Sequence, residues 1–142
     1  MKFYTTLTVF YMLLIICLSH IPQDDISEIV SGPENIDIFF HYVEYLILGF
    51  LLFQSITTDD FFTINSIYGS ILIGILFSIS DEFHQNFVPG RHMSLFDILY
   101  DIIGLIFGIY IGFKTTNRDL DNHVLLKKGN FKLIFYLTNF PS

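Results

Sequence analysis

Four apolar runs, at 3–19, 36–56, 61–79 and 95–113, fill most of this 142-residue chain. Each approaches the roughly 20 residues that a helix needs to cross a hydrocarbon core. In lipid a backbone satisfies its own hydrogen bonds only as a helix or a closed barrel, so runs of this kind predict an all-α chain. The composition agrees, with 52% hydrophobic and 18% aromatic residues, too apolar for a soluble domain of this length. The expected architecture is a polytopic membrane protein: a compact four-transmembrane-helix bundle over 1–114, with a short polar outer loop between helices three and four. A polar tail over 115–142 follows, mixed in charge at 115–130. Its apolar end, 131–140, is too short to span and is expected to lie at the membrane interface.

The first run follows Lys2 and has no small-x-small cleavage site after it, so it is expected to stay attached. Ile16 stands where lipoprotein processing requires a small residue, which argues against acylation at Cys17. A lone cysteine also leaves no internal disulfide. Basic residues near helix ends set orientation. Lys2, Lys114, Arg118, Lys127, Lys128 and Lys132 flank the outer ends of the first and fourth runs, which predicts a multi-pass protein of the cell membrane with both termini cytoplasmic. The loop 20–35 carries Asp24, Asp25, Glu28 and Glu34 and no base, and it falls on the external side with the segment 80–91. The net charge of −7 gives no footprint for nucleic acid.

The segment 80–91, SDEFHQNFVPGR, places acidic, imidazole, amide and guanidinium groups between two apolar runs. Ionisable groups at membrane depth are costly and mark functional sites. On the second run Asp37, His41, Glu44, Tyr45 and Gly49 share one helical side. On the fourth Asp97, Asp101, Gly104, Gly108 and Gly112 do the same, and on the third Ser66, Ser70, Gly74 and Ser78 step toward Glu82. The glycine spacing on the fourth run reads as small-xxx-small packing. Helices meeting through these seams would gather Asp37, His41, Asp81, Glu82, His84, Gln85, Arg91, Asp97 and Asp101 in one external pocket, with Glu44 at its margin. Val88-Pro89-Gly90 reads as a turn folding Arg91 back over that cluster. Ser94 reads as a helix cap three residues before Asp97.

With these residues in place, the chain resembles the VanZ-like membrane proteins, named for a protein linked to teicoplanin resistance. The resemblance covers most of the chain. The family's Asp-Lys-x-x-His signature stands here as Asp37-Ile38-Phe39-Phe40-His41, followed by Tyr45 and Gly49. Its second block is SDEFHQNFVPGR with Ser94, Asp97, Gly104 and Gly108. Two positions depart from the pattern, Ile38 where lysine is usual and Asp101 where asparagine is usual, and both make the cluster more acidic. The resemblance implies a membrane protein of the cell envelope associated with glycopeptide tolerance, and it assigns no reaction.

Three readings of the cluster stand side by side. In the enzymatic one, Arg91 holds a phosphate or carboxylate of a lipid-linked or cell-wall precursor while Glu82, His84 or Asp81 moves a proton, and Asp37, His41, Tyr45, Gln85, Asp97 and Asp101 line the substrate site. In the binding one, Arg91, Phe83, Phe87 and Tyr45 capture a precursor or shield a target with no covalent change. In the third, the polar groups form a buried network that fixes helix register. No compact metal-ligand spacing occurs, so no metal and no cofactor is assigned; an ion would need ligands such as His41, His84 and Asp37 drawn from different helices.

Overall fold

The computed structural model describes residues 2–22, 36–57 and 64–138, with side chains over 3–22, 38–57 and 65–117. Each apolar run forms a helix: α1 at Lys2–Ser19, α2 at Ile36–Ile56, α3 at Ile64–Gln85 and α4 at Leu95–Thr138. No strand occurs among the described residues. Three helices carry stretches long and apolar enough to cross a membrane, at Ile38–Ile56, Asn65–Gln85 and Leu95–Asn117, whereas the apolar stretch of α1, Phe3–Ser19, is shorter. The chain divides into two compact units, Met1–Gly112 and Phe113–Ser142. In the second unit α4 continues as helix to Thr138.

Two boundaries correct the sequence reading. α3 ends at Gln85 rather than 79, so Asp81, Glu82, His84 and Gln85 belong to its last turns and not to a loop. Ionisable side chains end an apolar run without ending the helix, and here Asp81, Glu82 and Gln85 face the bundle interior, each no more than 3% exposed. α4 likewise runs on past 113 as helix through the polar stretch 115–130. That stretch is polar but contains no proline to interrupt a helix. The acidic residues between 24 and 34, the connection at 58–63, the side chain of Asp37 and the side chains of the apolar tail lie outside the described residues.

The first unit is inside out relative to a water-soluble fold. Leu72, Leu76, Phe83, Leu95, Phe96 and Phe107 are all more than half exposed, while Ser66, Ser70, Ser78, Glu82 and Asp101 are fully buried. Apolar surface on this scale suits a hydrocarbon solvent, and buried polar groups then have reason to pair with one another.

Close packing between α2 and α4 follows from their glycines. A Cβ on Gly49 would strike the Leu105 carbonyl, one on Gly104 the Tyr42 carbonyl, and one on Gly108 the Leu46 carbonyl. The two backbones are therefore in direct contact, in parallel register, as small-xxx-small spacing predicts. α3 runs antiparallel to α4: Ser78 meets Asp101, and Gly74 makes room for the fully buried Leu105 side chain. α1 lies antiparallel along α2, where the Thr8 hydroxyl is shared between the Tyr4 and Leu51 carbonyls, at 2.8 and 3.1 Å, and the Tyr11 hydroxyl donates to the Glu44 carbonyl at 3.3 Å. These directions bring the C-terminal ends of α1 and α3 and the N-terminal ends of α2 and α4 to one end of the unit.

Candidate functional site

The site begins where α3 stops. Phe87 and Val88 donate their N–H groups to the His84 and Gln85 carbonyls, at 3.0 and 2.9 Å, which tightens the chain after the last helical turn. Arg91 N–H then donates to the Val88 carbonyl at 3.1 Å, closing a turn with Pro89 and Gly90 at its centre. Gly90 has φ of 77°, the left-handed value that the third position of a type II turn requires. The expected turn forms, and it sets the half-buried Arg91 on the wall of a pocket.

The next contacts lock α4 to α3. Ser94 Oγ accepts the Asp97 N–H at 3.3 Å, the expected cap. The N–H of Ser94 itself goes to Glu82 Oε2 at 2.9 Å. In a capping box the residue three places on would take that N–H. Here a carboxylate from the neighbouring helix does so, which ties the start of α4 to Glu82.

Beneath this junction His41 from α2 meets acids from α3 and α4. Its Nδ1 lies 3.0 Å from Asp101 Oδ1, and the hydroxyl of Ser78 donates to Asp101 Oδ2 at 2.7 Å. With Asp101 ionised its carboxylate only accepts, and a proton on His41 Nδ1 then donates to it. The other ring nitrogen, Nε2, faces Glu82 Oε1 at 3.9 Å, and that oxygen has no hydrogen-bond partner although Glu82 is fully buried. Asp97 joins the same group: one ligand atom from each of His41, Glu82 and Asp97 lies within 4.8 Å of the others.

A second polar group adjoins the first. Asp81 Oδ2 accepts the Ser19 hydroxyl at 2.9 Å and the Gln85 amide at 3.2 Å, and Gln85 also donates to Ser19 Oγ at 3.3 Å. Ser19, His41, Glu44, Gln85 and Arg91 border a pocket of about 210 Å³ whose remaining wall is apolar, from Leu18, Ile21 and Phe40. The ion pairs described in this region all involve His41, and Arg91 takes part in none of them.

The VanZ/LLP1 family profile matches residues 6–115, which include every residue of the two polar groups. The chain belongs to the VanZ/LLP1 family. Comparison with curated proteins and with solved structures finds no match for it. Of the positions carrying the VanZ resemblance, His41, Glu82, Asp97 and Asp101 converge in one group, and Asp81, Gln85 and Arg91 belong to the adjoining group or the pocket wall. Tyr45 is fully buried, with its ring 6.3 Å from that of Phe77 and not on the pocket wall. His84 stacks on His20 at 5.4 Å and does not line the pocket either. Two serines join these groups without having been read as site residues in the sequence. Ser78 was visible as a member of the α3 seam and gains its role from Asp101. Ser19 offered no signal, because only the packing of α1 brings it to Asp81.

Proposed function

We propose that this VanZ-family membrane protein binds the anionic headgroup of a lipid-linked or cell-wall precursor in the pocket bordered by Arg91, and processes it at the outer face of the cell membrane. The carrying observation is the pocket itself. An arginine that forms no ion pair among the described residues shares it with Glu44, Gln85, Ser19 and an imidazole, against a wall of Leu18, Ile21 and Phe40. Guanidinium suits phosphate through paired, charge-assisted hydrogen bonds. Glu44 gives the same pocket an acceptor for hydroxyl or ammonium donors, so a headgroup that carries phosphate together with sugar hydroxyls or an amine fits better than a bare anion. The apolar wall suits the lipid side of such a molecule.

His41 supplies the reactive candidate. Its Nδ1 proton is committed to Asp101, which leaves Nε2 free to take a proton or an electrophile. Glu82 and Asp81 are placed as the supports of this centre and of the pocket wall, and hydrolysis or group transfer is the reaction class. The family association with glycopeptide tolerance enters as the phenotype to be read. The test compares cells expressing the wild-type chain with cells expressing Arg91→Gln at equal membrane abundance. Loss of a charged hydrogen bond is expected to lower ligand affinity about 10- to 100-fold, from about 1.5–3 kcal/mol. Mass spectrometry of envelope lipids and muropeptides should show a product that depends on Arg91. Unchanged composition with intact tolerance would favour capture or shielding without chemistry, and a phenotype indifferent to R91Q would end the pocket reading.

A further inference from the structure

We propose that His41 Nε2, Glu82 and Asp97 form a binding site for a divalent transition-metal ion of the zinc class. The three side chains come from three helices and converge with ligand atoms within 4.8 Å of one another. Glu82 Oε1 independently points to a missing partner. It belongs to a fully buried side chain, accepts no hydrogen bond, and is aimed at His41 Nε2 across 3.9 Å. A tetrahedral ion with bonds of about 2.1 Å holds its ligand atoms about 3.4 Å apart, so closure by about half an ångström completes this edge.

His41 and Glu82 each already have an orienting contact. Asp101 holds the His41 Nδ1 proton and is itself held by Ser78, which fixes the tautomer and presents Nε2 as the donor atom. The Ser94 N–H occupies Glu82 Oε2 and leaves Oε1 for the ion. Carboxylate-histidine-metal relays are built this way. Charge balance points in the same direction. Glu82, Asp97 and Asp101 surround one imidazole, and the ion pairs described for Glu82 and Asp101 are with His41 alone. A protonated His41 offsets one carboxylate. A dication offsets Glu82 and Asp97 together and leaves a neutral imidazole donating to Asp101, which makes the group much less costly at membrane depth. Three protein ligands leave a coordination position open, the arrangement of a reactive rather than a purely structural ion. The proposal leaves open which anion the pocket binds, but it assigns His41 Nε2 to the ion in place of proton transfer, and the metal alone tests it.

The experiment uses the full chain in detergent micelles, stripped with chelator, loaded with Zn2+ and dialysed before elemental analysis. About one equivalent of zinc is expected to remain. His41→Gln, Glu82→Gln and Asp97→Asn should each weaken retention at least about 10-fold, with thermal unfolding confirming that the variants fold. Glu82→Gln keeps the shape of the side chain and an acceptor for Ser94, so it carries the test should another variant fail to fold. A second arm replaces the stacked pair, His20→Gln with His84→Gln, and should leave the equivalent in place. Absence of zinc from the folded wild-type chain would overturn the proposal. So would retention indifferent to all three ligand substitutions, or retention lost with the His20 and His84 pair.

Discussion

Asp101 shows how much one side chain can settle. Both of its oxygens are engaged, by His41 Nδ1–H and by the Ser78 hydroxyl, in a position with no exposure. Asparagine, which the family pattern favours at this position, can keep both contacts: its carbonyl takes the imidazole proton while its amide donates to a rotated Ser78 hydroxyl. Asp101→Asn is therefore expected to unfold within about 1 kcal/mol of the parent, whereas Asp101→Ala strands two buried groups and should cost about 2–5 kcal/mol. Thermal denaturation in detergent separates the two, and equal losses would show that Asp101 is not the hub of this network. The acid was visible as a membrane-depth charge in the sequence. Its partners were not, because Ser78 and His41 lie 23 and 60 residues away.

Among the elements, the contact between α2 and α4 depends on the absence of side chains. A methyl group on Gly108 would collide with the Leu46 carbonyl and approach the Phe50 nitrogen to 2.8 Å, so Gly108→Ala must push two backbones apart. Overpacking of this kind costs about 1–3 kcal/mol. Gly69 is a fair control, since its nearest neighbour would be Ile56 Cδ1 at an ordinary 3.6 Å. Gly69→Ala should be neutral or stabilise by up to about 1 kcal/mol through helix propensity. If both substitutions behaved alike, backbone contact would not be what holds α2 to α4. At the start of α4, Ser94→Ala removes the cap on the Asp97 N–H and should cost about 1 kcal/mol. Repeats of small residues every four positions announced this packing in the sequence. The extension of α3 through Asp81–Gln85 was not announced, because charged residues stop an apolar run in the sequence but not a helix whose charges find partners.

For the whole molecule, the exposed Leu and Phe side chains and the buried Ser, Asp and Glu side chains make lipid the natural solvent. The chain is expected to stay in the pellet when membranes are washed with alkaline carbonate, and release into the supernatant would refute membrane integration. The proposed external placement of the pocket has its own test. With the exposed Cys17 changed to serine, a cysteine introduced at the exposed Phe87 should react with an impermeant maleimide in intact cells. Labelling only after lysis would reverse the orientation inferred from the basic residues.

By itself, the sequence determined the solvent, the all-helical class, the small-residue faces and the pool of polar side chains, because hydropathy and helical periodicity are properties of neighbours along the chain. Only the tertiary structure decided which of those side chains meet. His41 joins Asp101 and faces Glu82, Ser19 joins Asp81, Arg91 turns to the pocket, and Tyr45 and His84 stand apart from its wall. Such pairings depend on helix direction, register and depth, which are set when glycine seams close and buried charges find their partners, and no local stretch of sequence encodes that choice.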